Sequence, residues 1–268
     1  MNNFSKFVLL GLMVSLLTSC NNKADDKPAT GKIQILFEHR VNGQLLIKDQ
    51  MIYTNAAGNH YEIAGLKYFI SDVTLHNHDG STYMIKTGSR SRYVDIDIPD
   101  SLRWIVIDQI PVASYDSISF IFGLNEELNK SNTFVNAPQS NMAWPELLGG
   151  GYHFMMMDGW FMNTQSIRSP FNFHLGTGQI YSSGMDTKNI TGFVQNYFHV
   201  KLPASAFEVT ASGVMRMKFV MNIDSWFTTP TNWDFNQWSI MIMQNQTAMQ
   251  TIKSNGKDVF SFETELIL

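Results

Sequence analysis

Apolar and polar residues alternate with period two along most of the chain after Lys32, which is the spacing of half-buried β-strands. Ile33, Ile35 and Phe37 alternate, and so do Leu66, Tyr68 and Ile70. At Ser71-Asp72 the phase slips and resumes at Val73 and Leu75, the signature of a β-bulge. Asn77-His78-Asp79-Gly80 then supplies turn chemistry, so residues 66–87 read as a hairpin. Further strands are predicted at 93–98, 104–108, 117–123, 152–161, 171–175, 197–202 and 214–223. In the last, Met215, Met217, Phe219, Met221 and Ile223 point inward, with Arg216 and Lys218 outward. One helix is predicted at 245–254, carried by Ala248, Met249 and Ile252 and stopped at Asn255-Gly256. The pattern predicts an all-β fold: an antiparallel β-sandwich with long loops and one short C-terminal helix, as a single domain over 32–268. The long loops are 125–145 and 225–237, the second carrying Trp226 and Trp233 and leading into Trp238; packing in or over the core is the expected role of these tryptophans, with stacking on sugar rings as the alternative.

The first residues read differently. Lys6 precedes the apolar run from Phe7 to Leu17, and Leu17-Thr18-Ser19-Cys20 closes it. The run is too short to span a bilayer and has the form of a lipoprotein signal peptide over 1–19. Cys20 is then the acylated first residue of the mature chain, the alternative being plain secretion. Polar residues 20–31 form a tether, which places the domain in the cell envelope on a lipid anchor. The expected site is the outer membrane, with the periplasmic and surface faces both open. Cys20 is the only cysteine, so no disulfide, thiolate metal site or Cys nucleophile is available to the domain. The net charge of −4 argues against nucleic acid, which demands a concentrated basic surface; the densest basic stretch, 86–92, reads as a solvated turn.

Soft-metal chemistry has to come from imidazole and thioether. Read with period two, Tyr152, Phe154 and Met156 share one face of a strand, while His153, Met155 and Met157 share the other. In 171–175, His174 and Asn172 point away from Phe171, Phe173 and Leu175. If the two segments pair, His153 and His174 leave the same face with Met155 beside them, a donor set suited to copper and above all to Cu(I). Paired strand histidines are also commonly structural, and most of the 16 methionines read as core packing. His76 and His78, two apart, permit a second, weaker site or simply an exposed turn, and His39, His60 and His199 show no pattern. The chain has no Gly-x-Ser-x-Gly, no His-Glu-x-x-His and no phosphate loop, so a binding protein is expected rather than an enzyme. The alternative is a surface glycan-binding or adhesion lipoprotein that uses the aromatic loop at 226–238 as a stacking platform.

The run Met142-x-Trp144-Pro145-Glu146-x-x-Gly149-Gly150-Gly151-Tyr152-His153-Phe154-Met155, followed by Phe173-His174-Leu175-Gly176, resembles the MbnP-like copper-binding proteins, in particular the lipoprotein branch of Bacteroidetes-type bacteria. Segments 63–75, 115–123 and 249–260 fit the same family, so the resemblance covers 32 to the end. It implies copper held by His153 and His174, with a thioether or the Trp144 region completing the shell. In some relatives an oxidised tryptophan helps bind copper, and a di-haem peroxidase-like partner performs the oxidation. Here the family's Trp-x-Trp is a single Trp144 followed by Pro145, a departure that bears on both the modification and the partner.

The anchor is directly testable. Cys20→Ser is expected to release the protein into the soluble fraction; a variant that still pellets with membranes after a high-salt wash is held by something other than lipid.

Overall fold

Alternating burial along the strands builds two facing sheets. The structure, a computed structural model, describes residues 28–86, 90–202, 204–238 and 242–267. The expected signal peptide, Cys20 and the first part of the tether lie outside the described residues. The chain opens with β1 (Thr30–Val41), β2 (Gln44–Leu45), β3 (Tyr53–Thr54) and the long β4 (His60–Asn77). Next come β5 (Thr82–Met84), β6 (Ser91–Asp95), β7 (Arg103–Pro111) and β8 (Ala113–Phe122). After an irregular segment follow β9 (Met155–Met162), β10 (Arg168–Leu175), β11 (Gly178–Tyr181) and β12 (Ile190–Val194). The last strands are β13 (Phe198–Lys201), β14 (Phe207–Val209), β15 (Val214–Asn222) and β16 (Phe260–Ile267), with α1 (Gln246–Asn255) before β16.

The larger sheet has the order β10-β9-β4-β8-β13, with β3, β5 and β6 also paired to β4 and β14 to β8. The smaller sheet runs β16-β15-β1, with β7 and β2 also on β1. β11 and β12 make a separate hairpin. Rings from both sheets meet in the middle: Phe120 stacks on Phe219 at 5.5 Å and meets Phe260 edge-on at 5.1 Å. Phe122 adds Tyr68, Phe198, Trp226 and Phe260 as neighbours. This is the all-β sandwich expected from the alternation. The bulge is also present: Asp72 takes φ 52°, and the β4–β8 register shifts between Ser71 and Thr74.

One expectation and one alternative are corrected. β1 and β15 pair in parallel, Lys32 opposite Val214 through Arg40 opposite Asn222. The strands lie at opposite ends of the chain, so no hairpin imposes an antiparallel sense on them. The helix does stop at Asn255-Gly256 as expected, with Gly256 in a right-handed conformation at φ −71°. The role of Gly256 is packing, because a Cβ there would come within 2.4 Å of Trp226 and 2.5 Å of Phe198. The aromatic loop offers no stacking platform, since Trp226 and Trp233 are 0% and 2% exposed and Trp233 packs on Phe173 and Trp238. Large aromatic area in water is costly, and the loop folds inward to bury it.

At the helix start the Asn245 side chain accepts from the Ala248 amide, and Ala248, Met249 and Ile252 are buried as expected. In the core, the His39 ring is buried, with Nε2 3.1 Å from the Tyr68 hydroxyl, and burial pushes its pKa down to about 4.

Phe122→Ala leaves a hole where both sheets and Trp226 converge. Denaturant unfolding is expected to show a loss of about 3–5 kcal/mol. A loss below about 1 kcal/mol would mean that this ring cluster does not organise the sandwich.

Candidate metal centre

The centre forms where an irregular segment folds back onto the start of β9. The chain passes Trp144-Pro145, makes one short turn of 3-10 helix (Glu146–Leu148), and reverses through Gly149, Gly150 and Gly151, all with positive φ. Side chains disfavour those angles, so the run of three glycines makes the reversal possible. Two backbone contacts close it: the Trp144 amide donates to the Gly151 carbonyl at 2.9 Å, and the His153 amide donates to the Met142 carbonyl at 2.7 Å. Asn129 and Ser131 hold the far side by accepting from the Tyr152 and Gly151 amides.

Trp144 and His153 are thereby brought into contact, edge to face, with ring centroids 4.6 Å apart. Trp144 is 2% exposed and donates its indole N–H to the Leu148 carbonyl at 3.1 Å. It packs over Gly176, where a Cβ would lie 2.5 Å from the indole. His174 enters from β10, and its ring stands 5.2 Å from that of His153 at 87°. The two histidines are 6% and 7% exposed.

Each imidazole has one nitrogen engaged and one without a partner among the described residues. Nδ1 of His153 lies 3.0 Å from the Met142 carbonyl, which can only accept, so Nδ1 carries the proton. Nε2 of His153 is then a buried lone pair with no hydrogen bond. In His174, Nε2 lies 2.8 Å from the Asp158 carboxylate, and the buried Nδ1 is unpartnered. Buried polar atoms are normally satisfied, so two orphaned ring nitrogens on adjacent rings need an explanation. A soft cation supplies one.

The surrounding charges favour the neutral donor. Burial, aided by the neighbouring His174, pushes the His153 pKa down to about 4 against the opposing hydrogen bond to Met142. Burial pushes the Asp158 carboxyl up, but hydrogen bonds from His174 and Asn172 and the charges of His174 and Lys67 outweigh it and hold it below the ordinary carboxylate range.

Of the expected site residues, His153, His174 and Trp144 are brought together; Met155 is not. β9 begins only at Met155, so Tyr152 to Phe154 do not alternate as a strand, and Tyr152, His153, Phe154 and Met155 are all buried in succession. Met155 pairs with Leu175 and Tyr68 on the core side, whereas Met156 pairs with His174 and Lys67. Partners across an antiparallel ladder share a face, so Met156 is the thioether on the histidine side. Alternation counted from His153 does not mark Asp158 or the Met142 carbonyl; shifting the face assignment by one residue aligns Met156 and Asp158 with His174. The His76/His78 pair does not form a site. The register slips between His76 and Asn77, and the two rings turn to Ser119 and Asp116 respectively. Among the described residues no group of three or more His, Cys, Asp or Glu gathers that could hold a metal ion.

A family model, MbnP, matches residues 30–247. Among solved structures, MbnP from Methylosinus trichosporium superposes with a TM-score of 0.56 at 12% sequence identity, covering 88% of this chain and 99% of that one. No curated protein matches the chain.

The His153 titration carries a stability consequence. Its folded pKa lies below the unfolded value near 6.5, so between about 4 and 6.5 the unfolded chain binds more protons. Its contribution to stability is whole above that window and is lost as pH falls through it, by up to about 1.4 kcal/mol per pH unit. His39 adds in the same direction. NMR titration of the metal-free protein should place the His153 midpoint near 4, with the unfolding midpoint dropping over the same range. A midpoint near 6.5 would show the ring to be solvated.

Proposed function

This chain belongs to the MbnP family, and we propose that it is a copper-binding protein of the cell envelope that holds one copper ion between His153 and His174. The observation that supports this most is the pair of buried, unpartnered ring nitrogens, Nε2 of His153 and Nδ1 of His174, on imidazoles 5.2 Å apart. Neutral imidazole is the form that binds metal, and the depressed His153 pKa removes proton competition near neutral pH.

The donor set is soft to borderline. Two imidazoles with the Met156 thioether on the same face of the strand pair suit Cu(I) better than a hard cation. Trp144 contributes as a wall: its packing over Gly176 and its bond to the Leu148 carbonyl support an anchoring role beside His153. The role of the protein is copper capture or holding without turnover, from a lipid anchor at Cys20. A glycan-binding role has lost most of its supporting feature, because Trp226 and Trp233 are buried in the core and Trp238 is partly buried against it.

Metal analysis of the natively purified protein tests the site. The wild type should carry copper, and the double variant His153→Ala/His174→Ala should carry almost none. Equal copper in both would end the assignment.

A further inference from the structure

We propose that Asp158 is the positioning residue of this centre: it fixes the tautomer of His174, so the two histidines present unlike nitrogens to the metal, Nδ1 from His174 and Nε2 from His153. The inference rests on the copper reading above and deepens it.

Asp158 and Asn172 face each other in the β9–β10 register, and His174 lies two residues beyond Asn172 on the same face. One oxygen of Asp158 receives both His174 Nε2–H at 2.8 Å and the Asn172 side-chain amide at 2.6 Å. An ionised carboxylate only accepts, so the nitrogen facing it must bear the proton. The opposite tautomer would set a lone pair of His174 against the carboxylate and aim the Nδ1 proton into the centre. Asn172 keeps the carboxylate oxygen in place, and Lys67 stands on the adjacent strand on the same face, opposite Met156. The arrangement is a carboxylate–histidine pair built to orient a metal ligand.

The partner of His153 is different in kind. A backbone carbonyl, that of Met142, takes its Nδ1–H and leaves the distal Nε2 free. In an imidazole, Nδ1 is next to the carbon joined to the side-chain stem, while Nε2 is at the far edge of the ring. The free nitrogen of His174 is therefore the one beside its side-chain stem, and that of His153 is the one at the far edge of its ring. Rings set at 87° accommodate one proximal and one distal donor. The residue that decides this lies outside any pair of histidines and contributes no ligand of its own.

The test uses the full chain with nitrogen-15 in its histidines. In metal-free wild type, long-range proton–nitrogen spectra should show Nδ1–H for His153 and Nε2–H for His174. In Asp158→Ala, His174 should lose its single tautomer. Competition with a chromogenic Cu(I) chelator should show affinity about 10–100-fold weaker. Asp158→Asn keeps an oxygen acceptor without the charge and should lose less. Unfolding midpoints check that each variant is folded, and Asn172→Ala, which frees the carboxylate, serves if Asp158→Ala is not. An Nδ1–H tautomer for His174 in wild type would overturn the proposal, as would Asp158→Ala with unchanged tautomer and Cu(I) affinity; in both cases the copper site itself could stand. Unchanged copper uptake in the double histidine variant would instead remove the site, and this inference with it.

Discussion

The backbone ladder of β4 is the constraint on which the rest of the molecule depends. At 18 residues it is long enough to pair with β9 along one edge and β8 along the other, and with β3, β5 and β6 besides. Hydrogen-bonding groups buried in the middle of a sheet have no water to turn to, so both edges must be filled. Filling them fixes the faces of β9 and, through β9, of β10. The candidate centre is the outer consequence: β10 delivers His174 in register with Met156.

The inner consequence is the aromatic core. Tyr68 of β4 lies against Phe122 and Phe260, and Phe120 against Phe219, so the same ladder that positions the centre on one face drives sheet-to-sheet packing on the other. Met155 and Met156 show how sharp the division is. They are neighbours in sequence, yet one packs under Tyr68 and Leu175 and the other lies beside His174 and Lys67. A thioether in the core serves as adaptable filling, while the same group on the other face is a soft donor.

His153 comes from outside the ladder, and its placement rests on the glycine reversal. The turn through Gly149–Gly151 lays Met142 and Trp144 against Gly151 and His153, sealing the ring from solvent while consuming only one of its nitrogens. Burial without satisfaction costs free energy, of the order of 1–3 kcal/mol for each orphaned group. Two such groups on touching rings are tolerated together where a ligand returns the lost interaction, and that economy of the site is the physical basis for reading it as a metal centre. Asp158 completes it from the second side by engaging the far nitrogen of His174.

The sandwich, its bulge at Ser71-Asp72, the turn after Asn77 and the helix that stops at Asn255-Gly256 were legible in the sequence, because periodicity and turn or stop residues are local properties. The closeness of His153 to His174 was suggested by the motif around the three glycines, whereas the alternation that put His153 on one strand face with Met155 does not hold. The parallel pairing of β1 with β15 was decided only in three dimensions, since nothing local records the sense in which two chain ends meet. The same holds for the choice of methionine. Tyr152 to Phe154 lie outside β9, so the alternation does not run unbroken from His153 into Met155, and a one-residue slip of phase there puts every thioether on the other face. Burial of the tryptophans at 226 and 233 follows the expectation from their large apolar area, while the rings they pack against were fixed only by the fold. Which ring nitrogens stay free depended on a carbonyl and a carboxylate that only the folded chain brings to them.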